Sequence, residues 1–196
     1  MNDSSAEFSD TWSAALESIK AAKPRAEVSI TTTPAPGDLA PYSIAFAADV
    51  HPADHGVDTG LGQGRFIALH DESEPEPWQG PFRVVCYAQA PLELEIGSDP
   101  LLPEVAWSWL MDALETRGAT FHAPSGTATT VLSKGFGALA DQGDGAQIEL
   151  RASWSPDDVE LGVHLEAWGD FLCALAGLPP AEGVASLTAR RVTRDR

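Results

Sequence analysis

Basic side chains are scarce in this chain: Lys and Arg total 12 against 29 Asp and Glu, a formal net charge of -17. Setting aside the C-terminal run RRVTRDR (190–196), with its four arginines and one aspartate, leaves 8 basic against 28 acidic side chains, a net of -20. Such a surface repels phosphate backbones and anionic bilayers at long range, so neither direct nucleic-acid binding nor membrane binding is expected. Cysteine is almost absent as well. Cys86 and Cys173 form no C-x-x-C pair and sit within apolar patterns, so they read as buried thiols in a reducing cytoplasm rather than as a disulfide or redox framework. No apolar run is long enough to span a bilayer. The opening residues MNDSSAEFSD lack the basic and apolar regions of a secretory signal. The glycines of GLGQG (60–64) have no helix pattern after them, as a phosphate-binding loop requires, and no cofactor is expected.

What is present is the patterning of a globular protein. Hydrophobic residues make up 43% of the 196 and charged ones 21%, enough for one domain with its own core. Phe8, Trp12, Ala15, Leu16 and Ile19 recur at helical spacing up to Lys23-Pro24. EVSITTT (27–33), YSIAFAADV (42–50) and RFIALHD (65–71) read as strands. The strongest alternation runs through FRVVCYAQAPLELEIG (82–97), with Phe82, Val84, Cys86, Ala88, Ala90, Leu92, Leu94 and Ile96 on one parity. It predicts one long strand with a dry and a wet face, and an edge position or a bend at Pro91. AQIELRASW (146–154) turns Ile148, Leu150, Ala152 and Trp154 inward; GTATTVLSKGF (126–136) pairs with it, and APSGT (123–127) reads as the turn before it.

Two later helices complete the pattern. In the first, opened by Asp99-Pro100 or Leu102-Pro103 and closed by Gly118, Glu104, Ser108, Asp112 and Glu115 form one narrow polar stripe. That predicts a helix buried around most of its girth, with Trp107 and Trp109 on nearly opposite sides, one on the sheet and one against another helix or subunit. The second is predicted to be capped by Ser155, with Pro156 in its first turn and Asp157 and Asp158 at its positive end. Leu161, Leu165, Trp168, Leu172 and Leu175 are its core stripe, and Gly162, Gly169 and Cys173 a flank for close approach. The expected architecture is a single α+β domain: a mostly antiparallel sheet of about six strands with three main helices on one face. Its boundaries are a flexible 1–7, the domain at 8–185 and a basic tail at 186–196, with an edge strand conceivable after residue 181.

The blocks DPLLPEVAWSWL, SGTAT, IELRASW and HLEAWGDFLCALAGLPP, in that order, resemble those of a conserved actinobacterial family of uncharacterised proteins, domain of unknown function three thousand. The similarity spans roughly residues 10 to 192. It implies a bacterial cytosolic setting and a single domain, and no activity. The element order alone is similar to that of secretion-chaperone-like folds, which are small, acidic and often dimeric.

Several residues are candidates for function. His51, Asp54 and His55 in HPADH, with Asp58 and the later His70-Asp71, offer the nitrogen and oxygen donors that suit Zn²⁺, although their spacing matches no recognised metal-site pattern and His and Asp in such loops are usually solvated turn residues. Arg83 and Arg151 on outward strand parities suit a small anion, or else pair with carboxylates such as Glu93, Glu95 or Glu149. His164 follows Glu160 by one turn and is expected to pair with it. Trp78, in the acidic loop ESEPEPWQGP (72–81), is placed at a loop tip where an exposed tryptophan can anchor an interface, although loop tryptophans also fold back onto their own domain. No serine stands in a G-x-S-x-G setting. The expected function is a non-catalytic protein-binding, adaptor or chaperone-like module that holds a protein partner or itself through Trp78, Trp107 or Trp109. The alternative is a small enzyme or ligand binder with a metal or anion site near His51, Asp54 and His55 or near Arg83 and Arg151.

Overall fold

The computed structural model describes residues 4–51, 61–142 and 144–180. The elements are α1 (Ser4–Ala21), β1 (Val28–Thr33), β2 (Tyr42–Val50), β3 (Gly62–His70), β4 (Phe82–Leu92), the single turn α2 (Leu94–Gly97), α3 (Leu102–Thr116), β5 (Phe121–Ser133), a 3-10 turn (Gly137–Gln142), β6 (Gly145–Pro156) and α4 (Leu161–Leu175). They form an α+β domain around one antiparallel six-stranded sheet in the order β1-β2-β3-β4-β6-β5. The first four strands are a meander. The chain then crosses over through α3 to the far edge, lays down β5, and returns with β6 beside β4.

The alternation in the sequence selects the buried face. Phe66, Ala68, Val84, Cys86, Ala88, Ile148, Leu150, Ala152 and Trp154 all point under the helices and are buried. α4 lies across this face between α1 and α3. Eleven of its fifteen residues are buried, so it, and not α3, is the helix enclosed around most of its girth. Small residues let it sit this close: Gly162 abuts the Ser18 backbone of α1, and Gly64 of β3 leaves room for the Trp168 ring. Cys86 and Cys173 are free and buried, and burial pushes their thiols up to about 12 and about 11 respectively.

Four expectations give way. β4 stops at Leu92, and Leu94 and Ile96, which continue its parity, belong to α2 and are exposed. Pro91 does sit at a local edge, because β3 pairs with β4 only as far as Gln89 while β6 continues alongside. APSGT is not a turn before a strand but part of β5, whose register shifts between His122 and Ser125, with Ala123 at a φ of 49°. Ser155 and Pro156 end β6 instead of opening α4, which begins at Leu161. α3 buries only the stripe Leu102, Ala106, Leu110 and Leu114, because it rides at the flank over β5 and β6 with a helix on one side only. The basic tail at 186–196 and any strand after 181 lie outside the described residues.

Candidate functional site

The flanking position of α3 leaves a groove between it and the C-terminal half of α4. Its cavity of about 460 Å³ is lined by Trp109, Ala113, Phe171, Ala174 and Leu178, with Asp112, Asp170 and Arg25 at the rim. Gly177, with a φ of 74°, turns the chain out of α4, and the Leu178 N–H returns to the Cys173 carbonyl, which sets Leu178 as the end wall. Arg117, at the C-cap of α3, holds the two helices together. Its guanidinium donates twice to Asp170 (2.6 and 3.0 Å) and once to Glu166 (2.7 Å). The bond to Asp170 holds its pKa above the usual arginine value. A forked, half-buried pair of this kind fixes geometry better than an exposed ion pair does.

The two helix tryptophans divide as their spacing demands. Trp107 is half-buried, its ring over β5 at Gly126, where a Cβ would collide with it. Trp109 stays 38% exposed. With Val105 and Leu101, one and two turns earlier, it makes an exposed apolar line along α3 that runs into the groove.

Trp78 does not stand clear of its loop; it is half-buried. Its carbonyl accepts a hydrogen bond from Ser155 Oγ (2.6 Å) and lies 3.2 Å from His122 Nε2, which also faces the Gln79 carbonyl at 3.1 Å. His122 Nδ1 faces Asp157 Oδ1 at 2.5 Å. Both ring nitrogens therefore face acceptors, an arrangement that favours the doubly protonated imidazole, and the bond to Asp157 raises its pKa. The grouping contains a serine, a histidine and an aspartate, yet it is no hydrolytic triad. The Ser155 hydroxyl is buried and donates to a carbonyl, and the histidine has no free nitrogen turned toward it. It is a latch on the acidic loop. No local pattern marks His122, because Asp157 is 35 positions away and comes alongside only through the β5–β6 hairpin.

The arginine candidates separate too. Among the described residues Arg83 has no carboxylate partner. It donates to the Ala123 carbonyl and to the hydroxyls of Ser125, Ser153 and Ser155, tying β4 to the irregular start of β5, and burial lowers its pKa. Arg151 does meet a carboxylate, but along its own strand and not across strands: it is 71% exposed and 3.7 Å from Glu149, two residues earlier on β6, while its guanidinium lies 5.6 Å over the Tyr87 ring of β4. The two are not brought together, since Arg151 pairs in register with Tyr87, four residues beyond Arg83.

His51 contacts Ser29 Oγ through Nε2 (2.6 Å), while Asp54, His55 and Asp58 lie outside the described residues. His70 is at the opposite end of the β2–β3 ladder, buried, stacked on Trp12 and Phe82, with Nδ1 at 3.1 Å from the Pro81 carbonyl. Among the described residues no three His, Cys, Asp or Glu side chains are grouped so as to hold a metal ion. His164 does not reach Glu160. It is fully buried, and its Nδ1 accepts the Trp154 indole N–H at 3.0 Å. Burial lowers its pKa to about 4, so it is neutral.

These features define an acidic α+β domain with an apolar groove walled by two helices and a polar latch on its longest described acidic loop. The chain belongs to the family described as protein of unknown function (DUF3000), whose profile matches residues 8–185. No curated protein and no solved structure matches it. Among the described residues no helix is long and apolar enough to cross a membrane.

Proposed function

We propose that this chain is a non-catalytic protein-binding module, an adaptor or chaperone-like protein of a reducing cytoplasm. It holds the apolar face of a basic, amphipathic segment of a partner in the α3–α4 groove. The observation that carries this reading is Trp109, a large aromatic left exposed beside an apolar cavity whose walls are locked by Arg117. Buried aromatic anchors in preformed pockets dominate the energetics of protein interfaces. Charge selects the partner. The outward side chains of α3 include Glu104, Asp112 and Glu115, the whole chain carries a net of -17, and the rim cation Arg25 is paired to Glu27 at 2.7 Å. A cationic segment is therefore drawn in and an acidic one repelled. The two buried free thiols suit a reducing compartment.

The test is an NMR titration of the full chain with a Leu/Lys amphipathic peptide and its Leu/Glu counterpart. The Trp109 indole N–H is expected to shift with the cationic peptide only, and Trp109→Ala to weaken binding by about tenfold or more. Equal response to both peptides, no response at Trp109, or full affinity in the variant would sink the reading.

A further inference from the structure

The outer edge of β5 is the second surface that calls for a partner. Natural sheets guard their edges with charges, prolines, bulges or short strands, because an open row of N–H and C=O groups invites another strand. β5 carries such guards only at its start, where Pro124 and the register shift lie. From Ser125 to Ser133 it pairs with β6 in unbroken register and has no charge and no proline. Among the described residues no strand covers its other side.

The surroundings add apolar surface, although Glu95 stands between Leu94 and Ile96 on α2 and Lys134 pairs with Asp144 at 3.9 Å. Exposed apolar side chains gather at the far end of β5: Val131 and Leu132 on the strand, Phe136 (75% exposed) and Leu139 in the turn after it, and Leu94 and Ile96 on α2. α2 reaches this place because Gly97 seats against Ala146 and Leu132. A strip of uncharged β-former sequence beside exposed leucines and a phenylalanine is an aggregation hazard unless it is covered.

Charge identifies what covers it. In a chain with 29 acidic residues, none falls between Thr116 and Ala140, while Arg117 and Lys134 do. A basic partner would be drawn to almost any other surface. A second copy of this highly acidic chain, by contrast, can approach at close range only where acids are missing from both sides. We propose that two copies pair antiparallel, β5 to β5, about a two-fold axis near Thr129, joining two six-stranded sheets into one of twelve strands. The arrangement is self-complementary, as a closed dimer requires. Alternate side chains keep their faces across the axis, with Thr127 opposite Val131 and Ala128 opposite Thr130. This surface is separate from the α3–α4 groove and does not depend on it.

The test is sedimentation equilibrium of the full chain over micromolar concentrations, at about 50 mM and about 500 mM salt, with amide exchange followed at residues 126–132. The mass is expected to move toward twice the 20.7 kDa of the chain, more readily at high salt because repulsion between acidic bodies is screened. The β5 amides that face away from β6 should gain protection as the dimer forms. Thr129→Lys places two cations at the axis on an exposed side chain and should weaken association about tenfold or more. Leu132→Asp should do likewise, while Thr129→Val and Trp109→Ala should leave the dimer intact. A monomer at every concentration overturns the proposal. So does a dimer indifferent to both edge variants, or outward-facing β5 amides, those not bonded to β6, already protected in the dilute monomer.

Discussion

Lowering the pH should destabilise this protein through one histidine well before its carboxylates titrate. His164 is fully buried, and its Nδ1 serves as acceptor for the Trp154 indole N–H, so the native state holds it neutral down to about pH 4. In the unfolded chain the same imidazole takes its proton near its ordinary value of 6.5. Between those limits the unfolded state binds more protons than the native one, so stability falls as pH falls. At about 1.4 kcal/mol per pH unit the complete loss is about 3 kcal/mol, of which about 2 kcal/mol is expected between pH 7 and pH 5. The lowered carboxylates of Glu27 and Asp71 act in the same direction but at more acidic pH. Chemical denaturation of the wild type and His164→Gln at steps from pH 7 to pH 5 isolates the effect. Glutamine retains an acceptor for Trp154 and does not titrate. The variant should be less stable at pH 7, and the gap should narrow by about 2 kcal/mol by pH 5. A gap constant to within about 0.5 kcal/mol would refute the reasoning, because His70, also lowered by burial, is present in both proteins.

The latch should respond in the opposite sense. Because Asp157 raises the pKa of His122, its hold on the Trp78–Gln79 carbonyls is complete below the ordinary histidine value and is lost as pH rises through the raised one. Amide exchange in the loop 72–81 should accelerate over that range. His122→Ala should bring the fast rate at every pH, at a cost of about 1 kcal/mol, as befits a partly exposed pair. The two arginine candidates should part company. Arg83→Met leaves the Ala123 carbonyl and three serine hydroxyls without their donor and should cost about 1–3 kcal/mol in denaturant unfolding. Arg151→Met removes only a long, exposed contact and should change stability by less than about 0.5 kcal/mol.

Strands were legible wherever one face had to be dry. Phe82, Val84, Cys86, Ala88 and Ala90, like Ile148, Leu150, Ala152 and Trp154, lie on the buried face that their alternation requires. The same rule overran at Leu94 and Ile96, because a single helical turn is too short to display its own period, and two apolar residues can keep strand parity by chance. The Ser155-Pro156-Asp157-Asp158 run has the composition of a helix start, but each residue is taken by a distant partner. Ser155 bonds Trp78, Pro156 pairs with Phe121, Asp157 meets His122, and Asp158 bonds Thr120 and the Glu160 N–H. Tertiary contacts outbid the local signal there. For the candidate site, the opposed directions of Trp107 and Trp109 followed from helix geometry. The groove beside Trp109 did not, because it depends on which helix lies in the middle of the layer. The polar stripe of α3 could not decide that; the glycines and cysteine along α4 came nearer to doing so.

The order of the strands has a consequence for synthesis. The meander β1 to β4 is complete when residue 92 has been made, and it can pair locally as it emerges. Its apolar face nonetheless waits for α4, the last element described, which closes over the sheet and fastens α1 and α3 to it. The central strand β6 also arrives late. Until the chain has passed Leu175, Phe66, Val84 and Ala88 have no lid, and the half-made protein is a sheet with a bare hydrophobic side. A ribosome stalled short of that point holds an intermediate that depends on chaperones, and a truncation there should yield insoluble protein rather than a smaller domain.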